Sequence, residues 1–131
     1  MARVTGIGGI FLRAQDPKTL RAWYAEHLGL DVHAVYGFAS MPWSDELPPG
    51  TGLTTWSLFP ADTKHFGDAG KSAMVNYRVD DLEGLLAQLR EAGVPIDPKR
   101  EDYSYGRFAW IVDPEGNRIE LWEPLVDTPE E

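Results

Sequence analysis

Residues 113–122 read Asp-Pro-Glu-Gly-Asn-Arg-Ile-Glu-Leu-Trp, and the rest of the chain is interpreted around this stretch. Asp113 to Gly116 has the composition of a tight turn, because proline pre-sets the first corner and glycine closes the bend. An apolar run precedes this turn, and residues 118–122 alternate with the period of two that predicts a strand. The stretch therefore predicts a β-hairpin whose second strand carries Glu120 and Trp122 on one face.

The composition limits the class of protein. The chain has 131 residues, of which 43% are hydrophobic, as expected for one globular domain with a core of ordinary size. It contains no cysteine, which excludes disulfides, thiolate metal sites and a cysteine nucleophile. The net charge of −9 repels phosphate backbones. No apolar run approaches the roughly 20 residues that cross a bilayer, and the first residues lack a signal-peptide layout. We therefore expect a cytoplasmic protein without a membrane or nucleic-acid partner.

The first half of the chain predicts a strand, a helix and two further strands. The helix is bounded by Asp16, a typical N-cap residue followed by proline, and by Gly29, a typical C-cap residue. A loop rich in proline and glycine separates the last two strands. The predicted elements are a strand at Thr5–Ala14, a helix at Pro17–Leu28, and strands at Leu30–Phe38 and Leu53–Phe59.

The second half repeats the first. When Gly9 is aligned with Met74, Asp16 falls on Asp81, and the order of strand, helix and strands recurs. Its elements are a strand at Ala73–Val79, a helix from Asp81 to Gly93, a short strand from Val94, and hairpin strands at Arg107–Val112 and Arg118–Glu123. Such a repeat predicts a duplicated βαβββ module. We expect a single domain over residues 1–125, with module one at about 4–60, a linker at about 61–71, module two at about 72–125 and a tail at 126–131.

Three motifs together resemble the vicinal oxygen chelate superfamily, which includes glyoxalase I, extradiol dioxygenases, and bleomycin- and fosfomycin-resistance proteins. The motifs are residues 113–122, the Val-Asp-Asp-Leu of residues 79–82, and the Trp-Tyr-Ala-Glu-His-Leu-Gly-Leu of residues 23–30. The resemblance extends over nearly the whole chain, from near Val4 to near Leu125. It implies an α+β fold of two βαβββ modules, whose curved mixed sheets surround a cleft and carry the helices on their convex side.

Metal-using members of this superfamily hold the ion in that cleft, and the resemblance places the four ligand positions at Gly9, Ser57, Met74 and Glu120. Of these only Glu120 is a suitable hard ligand, because glycine has no side chain and serine and a thioether suit such ions poorly. We expect the histidines, including His65 of the linker, to lie away from these positions. A lone carboxylate does not suffice, since such sites need about three or four ligands. We therefore expect no metal, no cofactor, and no metal-dependent glyoxalase or dioxygenase activity.

Strand alternation assigns side chains either to the cleft or to the core under the helices. The cleft is expected to be apolar and aromatic, as small-molecule sites usually are, with Glu120 and Asn76 as its polar groups. An unpaired carboxylate is costly in such a site, so we expect Glu120 to find a partner in Arg13, Arg78 or Arg118, in a bound cation, or in a proton. The predicted ligand-binding residues are Phe11, Ser57, Phe59, Met74, Asn76, Glu120 and Trp122. The predicted lid or rim consists of Tyr103, Tyr105 and Arg107.

Three functions are compatible with this cleft. The first is a metal-independent binding protein, similar to the bleomycin-resistance group, which holds a small aromatic or cationic molecule by stacking on tryptophans, with Glu120 as counter-charge. The second is a cofactor-free enzyme of the lyase or isomerase type, with Glu120 as its catalytic general acid or base. The third is an inactive scaffold that only dimerises. Acid–base catalysis needs more than one placed polar group, and Asn76 is the one polar partner predicted for Glu120. Binding is therefore the leading interpretation. We also expect a homodimer that forms through the apolar first strand around Gly8 and Gly9.

The composition of the four ligand positions predicts that the purified protein carries no stoichiometric divalent ion. Elemental analysis of the purified chain measures this directly, and far less than one ion per chain is expected. Stoichiometric nickel, zinc, manganese or iron that disappears in Glu120→Ala would contradict the prediction.

Overall fold

A computed structural model describes residues 2–43, 52–67 and 70–125 of the chain. Within these residues, seven strands form one open mixed sheet with two helices packed on it, which confirms the predicted α+β class. The elements are β1 (Val4–Ala14), α1 (Pro17–Leu28), β2 (Phe38–Pro42), β3 (Leu53–Pro60), β4 (Ala73–Val79), α2 (Leu82–Glu91), β5 (Ile96–Tyr103), β6 (Gly106–Val112) and β7 (Arg118–Pro124). Neither helix of this described part is long and apolar enough to cross a membrane.

The order of the strands reflects the repeat. Across the sheet it is β2-β3-β1-β4-β7-β6-β5. The two first strands, β1 and β4, pair antiparallel at the centre, and each also lies parallel to the last strand of its own half, β3 or β7. The second half has the full βαβββ order, whereas the first half has βαββ within the described residues. The symmetric arrangement brings the middles of β4 and β7 side by side near the centre of the sheet.

The strand predicted at Leu30–Phe38 is wrong except for its last residue. Residues 30–37 are irregular and contain a turn, and β2 begins only at Phe38. The ring of His33 accepts hydrogen bonds at 3.2 Å from the backbone N–H groups two and three residues further on, and Gly37 adopts a positive φ of 73°. These local bonds use the backbone groups that a strand ladder would need. The alternating pattern of apolar residues gives no sign of this competition.

Both predicted helices are present with the predicted capping residues at their starts. The carboxylate of Asp16 accepts a hydrogen bond from the backbone of Thr19 at 3.2 Å, and that of Asp81 accepts one from Gly84 at 3.1 Å. Each bond satisfies a backbone N–H that has no partner within the helix. Gly29 ends α1 with a φ of 71°. The predicted short strand from Val94 begins at Ile96 and is longer than expected. Residues 44–51 of the predicted loop, residues 68 and 69 of the linker, and the tail lie outside the described residues.

The hydrophobic core is divided between the two faces of the sheet. Under α2, Leu82 and Leu86 are fully buried against strands of the second half, and under α1 the ring of Tyr24 lies 4.7 Å from that of Trp56. A third cluster lies on the face without helices. It consists of Phe11, Phe66, Met74 and Trp110, flanked by Phe59 and Phe108. This aromatic layer supports the site described below.

The first strand, through which the homodimer is expected to form, does not lie at an edge of the sheet. β1 lies inside the sheet, where β3 and β4 occupy both of its edges. Gly8 and Gly9 are also buried. The glycines instead allow close packing within the chain, and the homodimer itself stays a prediction.

The turn between β6 and β7 is held by hydrogen bonds to the carboxylate of Asp113. The carboxylate of Asp113 accepts bonds from the backbone of Glu115 (2.8 Å) and from the backbone and side chain of Asn117 (2.9 Å each). The side-chain and backbone bonds of Asn117 hold the pKa of Asp113 below its ordinary value. Because the folded pKa is lowered, the carboxylate stabilises the fold above its unfolded pKa of about 4, and this contribution disappears as the pH falls through the folded pKa.

We therefore expect Asp113→Asn to lower the free energy of unfolding at pH 7, with a deficit that narrows as the pH falls below about 4. Urea denaturation at a series of pH values measures the deficit. Glu115→Gln makes the same charge change in the same exposed turn and is the control. A deficit of equal size at pH 7 and pH 3 would contradict the role of the Asp113 carboxylate.

Candidate ligand-binding site

A cavity of about 420 Å³ opens on the sheet face that carries no helix. This volume is within the range of small-molecule sites, and the walls are mostly aromatic and aliphatic. The lining residues are Gly8, Phe11, Leu53, Thr55, Asn76, Tyr105, Phe108, Glu120, Trp122, Pro124 and Leu125. A second depression of about 520 Å³ lies along α1 and the residues before it, but no residue of α1 is buried. The cavity above Glu120 is therefore the candidate site, because both buried polar residues of the described part, Asn76 and Glu120, line it.

The carboxylate of Glu120 forms the polar floor of the cavity, and its side chain is only 7% exposed. Its Oε1 accepts a hydrogen bond of 2.6 Å from Nδ2 of Asn76, and its Oε2 accepts one of 3.0 Å from Nε1 of Trp110. Nε2 of His65 lies 3.1 Å from the same Oε2. The sheet register explains the first two contacts, since Asn76 in β4 and Trp110 in β6 are the direct neighbours of Glu120 in β7. Three nitrogens therefore surround one buried carboxylate.

The position of His65 corrects the prediction that the histidines lie away from the cleft. The segment that carries His65 folds back over the sheet, where its ring stacks on Phe59 with centroids 5.2 Å apart and planes 3° apart. Arg13 holds this segment by donating through Nη1 to the backbone oxygens of Ala61 (2.9 Å) and Thr63 (2.8 Å). Arg118 donates through Nη1 to the backbone oxygen of His65 itself at 3.0 Å.

Of the three partners expected for Glu120, which were an arginine, a bound cation or a proton, the contacts of Arg118 and Arg13 do not support the arginine. Arg118 pairs with Asp97 at 2.8 Å, and Arg13 binds backbone oxygens of the linker. Nη1 of Arg78 donates to the hydroxyl of Thr5 at 3.2 Å. The carboxylate of Glu120 instead contacts Asn76 and Trp110 on the neighbouring strands and His65 of the linker. The two linker-binding arginines are the sequence signal that could have placed His65 near the cleft.

The predicted ligand-binding residues divide into two groups. Those that line the cavity are Phe11, Asn76, Glu120 and Trp122, and those outside its lining are Ser57, Phe59 and Met74. Met74 is buried in the aromatic layer and Phe59 flanks it. Ser57 pairs with Phe11 and with Phe38 in neighbouring strands. Of the predicted rim residues, Tyr105 lines the cavity mouth.

Sequence reasoning missed the parts of the wall formed by Gly8 in the first strand and by Pro124 and Leu125 at the end of the last strand. Gly8 reaches the cavity because the pairing of β1 with β4 shifts register between Ile7 and Gly9. A Cβ atom at Gly8 would lie 2.2 Å from Oδ1 of Asn76, so only glycine allows this approach. Regular alternation does not predict such a bulge. Pro124 and Leu125 complete the wall just after the last strand.

Two of the four ligand positions that the resemblance implies, Gly9 and Met74, offer no suitable ligand atom in the structure. Gly9 offers no side chain, and Met74 is enclosed by apolar rings. The nitrogens of Asn76 and Trp110 that face Glu120 are hydrogen-bond donors, which have no lone pair to offer a metal. Within residues 2–43, 52–67 and 70–125, no group of three or more His, Cys, Asp or Glu side chains could hold an ion.

Residues 6–121 match the family model of the Glyoxalase/Bleomycin resistance protein/Dioxygenase superfamily. The chain belongs to this superfamily. The match confirms the resemblance carried by the hairpin and the helix motifs. No curated protein sequence matches the chain.

Solved structures of other superfamily proteins share the fold. A variant of methylmalonyl-CoA epimerase from Streptomyces coelicolor, in complex with 2-nitronate-propionyl-CoA, is 16% identical with a TM-score of 0.71, over 97% of this chain and 100% of that one. Methylmalonyl-CoA epimerase from Mycobacterium tuberculosis is 21% identical with a TM-score of 0.62, over 94% and 90% of the two chains. A superfamily member from Vibrio splendidus 12B01 is 16% identical with a TM-score of 0.57, over 94% and 99%. At these identities the likeness shows the fold.

The bond between Trp110 and Glu120 predicts an energetic coupling. Hydrogen bonds to a charged acceptor are about twice as strong as neutral ones, so Trp110→Phe and Glu120→Gln should show a coupling energy of about 1 kcal/mol in a double-mutant cycle of unfolding free energies. Trp56→Phe, which lies under α1 on the other face, is the control and should couple to Glu120→Gln by about zero. Equal coupling for both tryptophans would contradict the contact.

Proposed function

We propose that this superfamily member binds a small aromatic molecule in the cavity above Glu120, without a metal ion or another cofactor. The observation that carries the proposal is the combination of aromatic walls with one buried polar floor. The rings of Phe108 and Trp122 are nearly parallel, at 17° and 6.5 Å between centroids. Tyr105, whose side chain is 56% exposed, stands beside Phe108 at the mouth with centroids 6.3 Å apart. Such walls favour a flat ring as ligand.

The contacts of Glu120 bear on whether the ligand must be a cation. An ionised carboxylate offers about four lone-pair sites, and nitrogens of Asn76, Trp110 and His65 already approach its two oxygens. The floor therefore does not need a ligand cation for its stability, although a cationic ring would find one remaining acceptor site and an adjacent indole face. In this proposal the affinity comes mainly from the rings and holds for neutral and cationic aromatic compounds. A homodimer is part of the proposal, and sedimentation at micromolar concentration tests it.

A second candidate function is proton transfer by a cofactor-free enzyme of the isomerase or lyase type. The contact between Glu120 and His65 favours it, because it supplies the second titratable group that acid–base chemistry needs. The solved relatives named as methylmalonyl-CoA epimerases add support at the level of the fold alone. In this second function the carboxylate of Glu120 accepts and returns the proton, and His65 holds that carboxylate in position.

Binding predicts a specific dependence on Trp122. The ring of Trp122 forms part of the cavity wall. Trp122→Ala should therefore raise the dissociation constants of naphthalene-sized aromatic compounds by about tenfold or more, which corresponds to roughly 1.4 kcal/mol of lost ring contact. Isothermal titration calorimetry measures the dissociation constants. Trp23→Ala removes an indole that is 48% exposed on α1, outside the cavity, and is the matched control. Equal losses in both variants, or no binding by the wild type, would contradict the proposal.

Hydrogen exchange separates the enzyme from the binding protein. Methylmalonyl-CoA is incubated in D₂O and followed by proton NMR. If Glu120 transfers protons, the signal of the proton on the carbon next to the carbonyl should disappear faster with the wild type than in buffer alone. Glu120→Gln should abolish that acceleration. An exchange rate equal to that of the buffer rejects this activity and leaves the binding function in place.

A further inference from the structure

The side-chain amide of Asn76 has a defined orientation, because Glu120 decides which end faces it. The side chain of Asn76 is 3% exposed and lies 2.6 Å from Oε1 of Glu120. A carboxylate oxygen accepts hydrogen bonds, so the amide nitrogen and not the amide oxygen must point at it. The other oxygen of Glu120 already accepts from the indole N–H of Trp110, which can only donate. The oxygen Oδ1 of Asn76 is therefore turned away from Glu120.

That oxygen is buried and has no hydrogen-bond partner in the described protein. It lies on the Gly8 side of the cavity, where a Cβ atom at Gly8 would be 2.2 Å from Oδ1 and 2.9 Å from the ring of Trp122. All three residues line the same cavity. A buried acceptor without a partner is costly, and native proteins rarely leave one unpaired. The wall beside Trp122 thus contains one acceptor that the described protein does not satisfy, and because this oxygen is buried, a donor reaches it only when a neighbouring side chain such as Trp122 shifts.

We infer that the ligand of this cavity is a flat aromatic compound that carries an N–H or O–H donor at its ring edge, and that this donor binds Oδ1 of Asn76. The inference rests on the proposed binding function and names the chemical class of its ligand. The ring packs beside Trp122 and Phe108, while the edge donor replaces the partner that Asn76 lacks. Compounds of the same shape without the donor leave Oδ1 unpaired and bind more weakly.

Four probes of matched shape test the inference by calorimetry. Indole has an N–H donor and 1-benzothiophene has none, whereas quinoline has a ring acceptor and naphthalene has none. The wild type should bind indole about tenfold more tightly than 1-benzothiophene, which is the scale set by leaving one buried acceptor unpaired. It should show no preference for quinoline over naphthalene. Dissociation constants for indole and 1-benzothiophene within a factor of two would overturn the inference while leaving the binding function intact. No binding by any of the four probes would overturn both.

Glu120→Gln should reverse the preference. The glutamine oxygen can still accept from Trp110 and His65, which leaves its NH₂ group facing Asn76. The Asn76 amide then turns over to accept that bond and presents Nδ2 to the cavity. The variant should bind quinoline more tightly than naphthalene by about threefold to tenfold and lose its preference for indole. An unchanged preference for indole would show that Glu120 does not set the polarity of the wall and would overturn the argument.

Asn76→Leu is the second variant, because it removes both polar ends of the amide at similar volume. It should bind indole and 1-benzothiophene equally, and quinoline and naphthalene equally. Circular dichroism verifies that each variant is folded, and the wild-type comparison stands if either is not. A retained tenfold preference for indole in folded Asn76→Leu would assign the donor to another acceptor and contradict the inference.

Discussion

The described structure depends most on the contacts between the buried carboxylate of Glu120 and its nitrogen partners. A charge buried to this extent is tolerated only when several donors surround it. Its three nitrogen partners come from β4, β6 and the linker, so they meet only when the repeat, the hairpin and the linker are all in place. One polar contact therefore depends on pairings that are far apart in the chain. It also gives the cavity a polar floor beneath aromatic walls.

Arginines extend this constraint to the linker. Arg13 from the first strand and Arg118 from the last each bind backbone oxygens of the segment around His65. A guanidinium group has five donors, so it can hold a segment that has no regular structure of its own. Since Arg118 also pairs with Asp97, its position is defined from two sides. The linker thereby becomes part of the site and delivers a second titratable group to Glu120.

The fold was predictable where local rules apply. Alternation gave Ala73–Val79, and capping residues gave both ends of α1, because these signals involve residues close in sequence. The hairpin placed Glu120 on the correct face for the same reason. The hydrogen bonds of the His33 ring to its own turn were missed, because the pattern of apolar residues does not report side-chain hydrogen bonds to the backbone. The bulge before Gly9 was missed because it exists only in the pairing of two strands.

The site was predictable in its centre and not at its borders. Asn76 and Glu120 follow from strand register once the repeat is recognised, and Trp122 follows from alternation. His65 was misplaced, because its irregular segment is positioned by tertiary contacts with Arg13 and Arg118 and not by a pattern in its own sequence. The same holds for the wall after the last strand and for Gly8. Because one fold can carry many functions, recognition of the fold does not identify these border residues.

Hydrogen–deuterium exchange of the tryptophan indole N–H groups, followed by NMR, tests the central claim that donors surround Glu120. The sequence has five tryptophans, and the indole N–H of Trp110 is buried against the carboxylate. It should exchange far more slowly than that of Trp23, and Glu120→Leu, which removes the acceptor, should accelerate its exchange while leaving Trp23 unchanged. Exchange of Trp110 as fast as that of Trp23, or unaffected by Glu120→Leu, would contradict the account.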